Sequence, residues 1–452
     1  MKKHFSSLLI WILVFYSCEE EKKSKYDLLI LNATIIDVKT GTLNNGSFIA
    51  ISNDTIRLIG KMNNMNKLES LETIDVDNKY VMPGLWDMHV HFRGGDSLIQ
   101  ENKNLLPLFL SHGVTTIRDA GGDITPSIMK WRNQLRNKTL DGPNIFTSGP
   151  KLDGPKPTWE GSINIVDSSQ IKMALDSLEA IDVDYVKLYN YNLSKEIFYN
   201  ILKEAEKRGL KTTGHVPETA NLMEAIAYGL DGEEHMFSSL QACSKLVDGR
   251  LEFDSKIAEE VYAKMASKDF YITPTLHIGK ILTEILDTNH SNDELLPFIG
   301  KGIQKTYQMR INSAIKRKAE GSDLGAKTEK QFSEMIVPMY QAGINLLAGS
   351  DCGPFNSYTY PGESLHGELI MLVEAGLTPQ QALKCSIING PKFFGLENYY
   401  GSIESNTVAD LIVLDKNPLE NIENIEEINT VINKGKVLSR GSISQILKPL
   451  KH

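Results

Sequence analysis

The segment VMPGLWDMHVHFRG, residues 81–94, decides how this chain is read. Leu85 to Val90 has the apolar character of a buried strand, entered through Pro83-Gly84 and ending at two histidines one residue apart. Successive side chains alternate across a strand, so His89 and His91 share a face. Imidazoles are good metal ligands, and a rigid strand end fixes their separation. An isolated pair could equally be packing histidines, so the rest of the chain must decide.

Outward from that strand, strands and helices alternate. A helix is expected over Leu98 to Leu110, a strand over Val114 to Ile117, a helix over Ile124 to Leu135 and a strand over Asn144 to Ser148. Ser168 to Ala180 and Ser194 to Arg208 read as helices around a strand at Val183 to Leu188. Lys211 to His215 and Asp231 to His235 read as strands around a helix at Thr219 to Tyr228. Tyr271 to Leu276 and Asn345 to Ala348 supply the seventh and eighth strands, the latter after a helix at Gln331 to Gln341. Eight such units predict an α/β fold, a (β/α)8 TIM barrel.

Strand vocabulary also occupies both flanks: Tyr26 to Asp37, Ser47 to Ile59 and Thr73 to Val76 before the barrel, then Gly401 to Ile403, Ala409 to Leu414 and Val431 to Val437 after it. These segments predict a small β-sandwich domain made from residues 26–80 and 396–445, around a barrel at 81–395. The charged, amphipathic stretch 278–330 is longer than a normal crossover. It reads as a helical surface insertion or as a lid over the barrel mouth.

The chain has 452 residues, 48 basic and 57 acidic side chains and a formal charge of -9. No basic stripe accompanies that charge, so no nucleic-acid partner is expected. Lys2 and Lys3 precede an apolar run from Leu8 to Tyr16, the pattern of an export signal and too short to span a bilayer as a helix. Its end, FYSC, resembles a loose form of the bacterial lipobox. Residues 1–17 are accordingly expected to be a signal peptide, Cys18 a lipidated anchor in the membrane, and 18–25 a tether. The exported lipoprotein would be periplasmic or held at the outer membrane and cell surface. Cys243, Cys352 and Cys385 are widely spaced and odd in number, so disulfides do not organise the fold.

The barrel reading gives the histidine pair its company. His215 in TTGHVPE and His235 in GEEHMFS close expected strands, and Asp351 follows the apolar run INLLAGS. All would stand on the rim where barrel enzymes place their chemistry. Lys187, in DYVKLYN, is bounded by Val186 and Leu188 and points its amine into the barrel or wastes it on the other face. A protonated lysine beside a dication is repelled, whereas its carbamate is an anion with two oxygens able to bridge two metals.

Together, VMPGLWDMHVHFRG, GVTTIRDAGG, DYVKLY, GHVPE, EEHMF, LLAGSDCG, LHGEL, EAGLTPQQALKCSIINGPKFFGL and GSIESNTVADLIVLDKNPL resemble the amidohydrolase superfamily over nearly all of Tyr26 to Arg440. The branch is that of imidazolonepropionase and the metal-dependent Xaa-Pro dipeptidases. The resemblance implies that His89 and His91 bind the more buried metal, that Lys187 is an N6-carboxylysine bridging two divalent metals, and that His215 and His235 bind the second. It places Asp351 on the first metal and against the nucleophilic water. Mixed nitrogen and oxygen ligation suits zinc, with manganese, iron or cobalt as alternatives. No organic cofactor is indicated, since neither Gly94-Gly95 nor Gly121-Gly122 has dinucleotide or phosphate-loop spacing, and there is no GxSxG elbow.

These roles predict hydrolysis of an amide bond in a small molecule, a dipeptide or N-acyl amino acid, by a metal-bridging hydroxide, with Asp351 as general base and then general acid. Cyclic amides, lactones and esters are alternatives within the same chemistry, and a non-catalytic metal- or ligand-binding lipoprotein is the alternative outside it. Arg118 could hold a substrate carboxylate or simply pair with Asp119. Tyr189, sharing a face with Lys187, could donate to the developing oxyanion. His366 could brace the site or pack in a helix, and His277 lies where it could reach substrate. Oligomeric state is left open, a homo-oligomer included.

Overall fold

A computed structural model describes residues 25–65, 68–189 and 192–451. The expected signal peptide, Cys18 and nearly all of the tether lie outside the described residues. Among the described residues, no helix is long and apolar enough to cross a membrane.

Eight parallel strands form the barrel: Leu85–Val90, Val114–Asp119, Asn144–Thr147, Val186–Leu188, Thr212–Gly214, Gly232–Glu234, Tyr271–Thr273 and Asn345–Leu346. Their register runs through Leu85↔Val114, Thr116↔Asn144, Val186↔Thr212, Thr213↔Gly232, Gly232↔Tyr271 and Tyr271↔Asn345. The third and fourth strands meet where Asp184 N donates to Thr147 O at 2.9 Å. Closure comes from Met88 N donating to Ala348 O, Asp351 N donating to His89 O, and a parallel bridge between Val90 and Cys352. The first and eighth strands are thereby bonded at the level of the histidine pair.

Several barrel strands are shorter than their apolar runs. His215 and His235 sit one residue past their strands, and His235 and Asp351 have left-handed backbones, with φ of 65° and 52°. A left-handed residue turns the chain out of the ladder, which ends the strand and leaves the side chain on the rim. The helix expected over Leu98 to Leu110 is broken into Ile99–Lys103 and Leu106–Ser111. Pro107 explains the break: it lacks an N–H and would clash with a preceding helical turn, but fits the first turn of a new helix.

Both chain ends share one sheet. Tyr80–Pro83 joins Lys25–Asp37 on one side and Leu411–Leu414 on the other, so the N- and C-terminal segments interlock. The run Ser47 to Ile59 is a hairpin, Thr42–Ser52 with Thr55–Lys61, turning at left-handed Asn53. Gly401 to Ile403 is a bend rather than a strand. Along Leu411–Leu414, Leu411 and Val413 enter a core with Leu28, Ile30, Ile49 and Ile51, while Ile412 and Leu414 join the larger core of the barrel. The period of two makes this strand the shared wall of both domains.

Residues 278–330 are largely helical, taking in most of Leu276–Glu284, then Lys301–Thr306, Gln308–Ala319 and the start of Leu324–Ala342. A hairpin of Ser244–Val247 and Arg250–Phe253, not anticipated from the sequence, precedes them. Cys243, Cys352 and Cys385 are buried free thiols.

Ile412, fully buried, packs over Gly113 at the start of the second barrel strand. Ile412→Ala is expected to lower stability by about 2–5 kcal/mol, read as a lower urea midpoint. An unchanged midpoint would show that the two domains do not depend on this contact.

Candidate metal centre

Two hydrogen bonds orient the histidine pair. His91 Nδ1 lies 3.0 Å from Gly121 O, and a carbonyl can only accept, so Nδ1 carries the proton and Nε2 presents its lone pair. His89 Nδ1 lies 2.7 Å from Glu234 Oε2, which assigns the same tautomer beside a carboxylate. The two Nε2 atoms then face each other at 3.3 Å, with Asp351 Oδ1 at 3.5 Å from one and 3.2 Å from the other. Two lone pairs and a carboxylate oxygen repel one another unless a cation stands among them, so the donor set fits a divalent metal.

Electrostatics favour the same state. Burial pushes the His89 pKa down to about 3 and holds His91 and His215 well below the ordinary imidazole range, so the rings are neutral donors. Burial works against ionisation of Asp351, but its surroundings, the cations Arg93 and Arg310 among them, hold its pKa below the ordinary carboxylate value.

Glu234 is the support that sequence reading missed. Besides His89 it accepts from Arg118 Nη2 at 2.8 and 2.9 Å and from Thr213 Oγ1 at 2.6 Å, and it lies 3.6 Å from Lys187 Nζ. Burial opposes its ionisation, and Arg118, Lys187 and His89 together hold its pKa well below the usual carboxylate range. The signal was the doubled acid in GEEH: adjacent strand residues point opposite ways, so one of the two had to face the barrel. Asp87 was missed similarly. It shares a face with His89 and accepts from Ser350 N at 2.9 Å and Ser350 Oγ at 2.6 Å, tying the first strand to the eighth.

Around the compact set of His89, His91 and Asp351 stand the other expected ligands. His235 packs 5.2 Å from His89 and 5.0 Å from His215, centroid to centroid, with its Nδ1 2.5 Å from Thr275 Oγ1. Its Nε2 lies 3.9 Å from Asp351 Oδ2. Lys187 Nζ is buried, with no hydrogen-bond partner among the described residues beyond its 3.6 Å ion pair with Glu234, and burial lowers its pKa to about 8. Tyr189 packs its ring 4.8 Å from that of His215.

Three expected substrate groups are placed elsewhere. Arg118 is fully buried beneath the histidines, bonded to Glu234, Thr273 and Met88 O, rather than facing a substrate carboxylate. It does not pair with Asp119 either, whose carboxylate accepts from Thr147 Oγ1. His366 is a packing residue, its Nε2 donating to His112 O at 2.8 Å and its ring against His112. His277 turns towards Gly367 of the helix Glu363–Glu374, its backbone N–H donating to Glu368.

A cavity of ≈ 510 Å³ runs from His235 and Asp351 out between the helices of the insertion, past Arg310, Leu282, Leu324 and Phe332. The insertion therefore walls the approach to the metal donors.

Residues 80–438 match the model of the amidohydrolase family. The chain belongs to that family. With the donor set above, it is a metal-dependent hydrolase. Ochratoxinase of Aspergillus niger is 23% identical across 95% of this chain and 89% of its own, and its crystal structure superposes with a TM-score of 0.66. A crystal structure of a Xaa-Pro dipeptidase with bound methionine in the active site superposes with a TM-score of 0.69 at 20% identity, covering 91% of this chain and 99% of the other. Imidazolonepropionase of Geobacillus kaustophilus is 22% identical over 88% of this chain and 91% of its own.

Glu234→Gln removes the anion that sets the His89 tautomer, and metal affinity should fall by about 10–100-fold. Equilibrium dialysis against zinc checks this, and an unchanged affinity would contradict the assigned role.

Proposed function

We propose that the chain hydrolyses an amide bond in a small molecule, a dipeptide or an N-acyl amino acid, at a centre of two divalent ions, with zinc the first candidate. The observation that carries this reading is the placement of Asp351. One oxygen faces the Nε2 pair, the other faces His235, and the residue lines the cavity. The likeness to a Xaa-Pro dipeptidase supports a peptide-like substrate.

His89, His91 and Asp351 would hold the first ion, and His215 with His235 the second. Lys187 would bridge them as a carbamate. Its buried amine, with a pKa lowered to about 8, is suited to that step: the neutral nitrogen adds to the carbon of CO2, an N–C bond forms, and one proton leaves to solvent. Bound divalent ions polarise the substrate carbonyl and make a water nucleophilic at neutral pH. Asp351, ionised and held by Asn356 Nδ2 at 2.8 Å, accepts the proton of the attacking water and returns it to the leaving nitrogen. Tyr189, whose ring packs beside His215, would donate to the carbonyl oxygen as charge develops. Burial of the donors excludes bulk water from all but the cavity side. Export and lipidation at Cys18 belong to the same reading.

Metal analysis combined with a panel of dipeptides, N-acyl amino acids, lactones and esters tests it. Turnover of amides is expected, whereas stoichiometric metal without any turnover would favour a binding protein. Asp351→Asn should retain much of the metal and lose about 10²–10⁴-fold in kcat. An unchanged rate would remove Asp351 from proton transfer.

A further inference from the structure

Three cationic side chains unassigned above lie around Asp351. Arg93 is buried, with Nε donating to Pro354 O at 2.9 Å and its guanidinium 3.9 Å from the Trp159 ring centroid. Lys151 is buried too, and its Nζ, without a hydrogen-bond partner among the described residues, lies 5.7 Å from the same ring. Both are packed against an aromatic wall inside the protein.

Arg310 is different. It comes from the insertion helix Gln308–Ala319 and lines the cavity together with Asp351 and His235. Its Nη2 donates to Asn356 Oδ1 at 3.1 Å, while its Nε is buried with no partner among the described residues. The cavity-lining guanidinium is a planar cation of the kind that matches a carboxylate. The remaining wall is largely apolar, with Leu282, Leu286, Leu324 and Phe332, and is also lined by Arg317, Asp323, Glu329 and the ion pair of Lys318 with Asp287. A ligand that satisfies both features has one anionic group near the metal donors and an apolar body along the insertion.

We infer that Arg310 binds the free carboxylate of the substrate and that the cavity takes an apolar acyl chain, making the substrate an N-acyl amino acid. This deepens the amide-hydrolase reading and rests on it for the identity of the bond cut. In such a molecule the carboxylate is attached to the carbon next to the scissile nitrogen, so it sits close to the group that Asp351 must protonate. Asn356 links the two events: its Nδ2 donates to Asp351 Oδ1 and its Oδ1 accepts from Arg310. Recognition of the anion is one side chain away from the proton carrier.

The test uses the metal-loaded full chain and a non-hydrolysable pair, 4-oxoundecanoic acid and 4-oxoundecanamide, in which CH2 replaces the amide N–H of N-octanoylglycine. Calorimetry should show the wild type preferring the acid, and Arg310→Met should reduce that preference by about 10- to 150-fold, the worth of a hydrogen bond to a charged group. Arg310→Lys should recover part of it. No preference in the wild type, or equal loss for acid and amide in Arg310→Met, would overturn the inference. Turnover of N-octanoylglycine is read separately. Acid-selective binding without turnover would count against the amide-hydrolase reading alone, and turnover without selectivity against the role of Arg310 alone.

Discussion

The buried Glu234 carboxylate is the constraint on which the centre depends. A charge taken out of water is strongly destabilising unless paired and hydrogen-bonded. Here Arg118, Thr213 and His89 saturate its two oxygens, and Lys187 lies within Coulombic reach. One carboxylate thus connects the first, second, fourth, fifth and sixth barrel strands. Its effect on function is direct: the proton it holds on His89 Nδ1 leaves Nε2 free for a metal. A neutral residue of the same shape would leave Arg118 as an uncompensated buried cation and His89 without a defined tautomer.

Above that layer, backbone conformation delivers the remaining donors. His235 and Asp351 leave their strands in left-handed geometry, and Asp351 stays bonded through its N–H to His89 O, so carboxylate and imidazole are held together by main chain. Asp87 and Ser350 add a second staple between the same two strands. The rim is therefore rigid where the donors converge, and the insertion frames the cavity outside it. This division suits a hydrolase whose bond-breaking groups are fixed and whose substrate range is set by loops and helices outside the barrel.

Much of this was legible in the sequence. Alternating strands and helices gave the barrel, and the period of two placed His89 with His91 on one face. The apolar run before Asp351 marked it as a strand-end acid. Depth was not legible: Arg118 faces the barrel as its strand position allows, but it lies below the histidines, where Glu234 takes its charge. Periodicity assigns a face and says nothing of the level along the barrel axis. Arg310 was invisible for another reason. It lies in a helical insertion outside the βα repeat, and only the packing of that helix over the mouth brings it beside Asp351. The packing of His277 against Gly367 is likewise a tertiary outcome with no local signature.

The most direct measurement is anomalous diffraction at the zinc edge from crystals of zinc-loaded protein. The account predicts a peak at about 2.0–2.2 Å from Nε2 of both His89 and His91 and from an oxygen of Asp351, with Glu234 bonded to His89 Nδ1 beneath it. Zinc bound away from this trio, or ligated through Nδ1 of either ring, would contradict it.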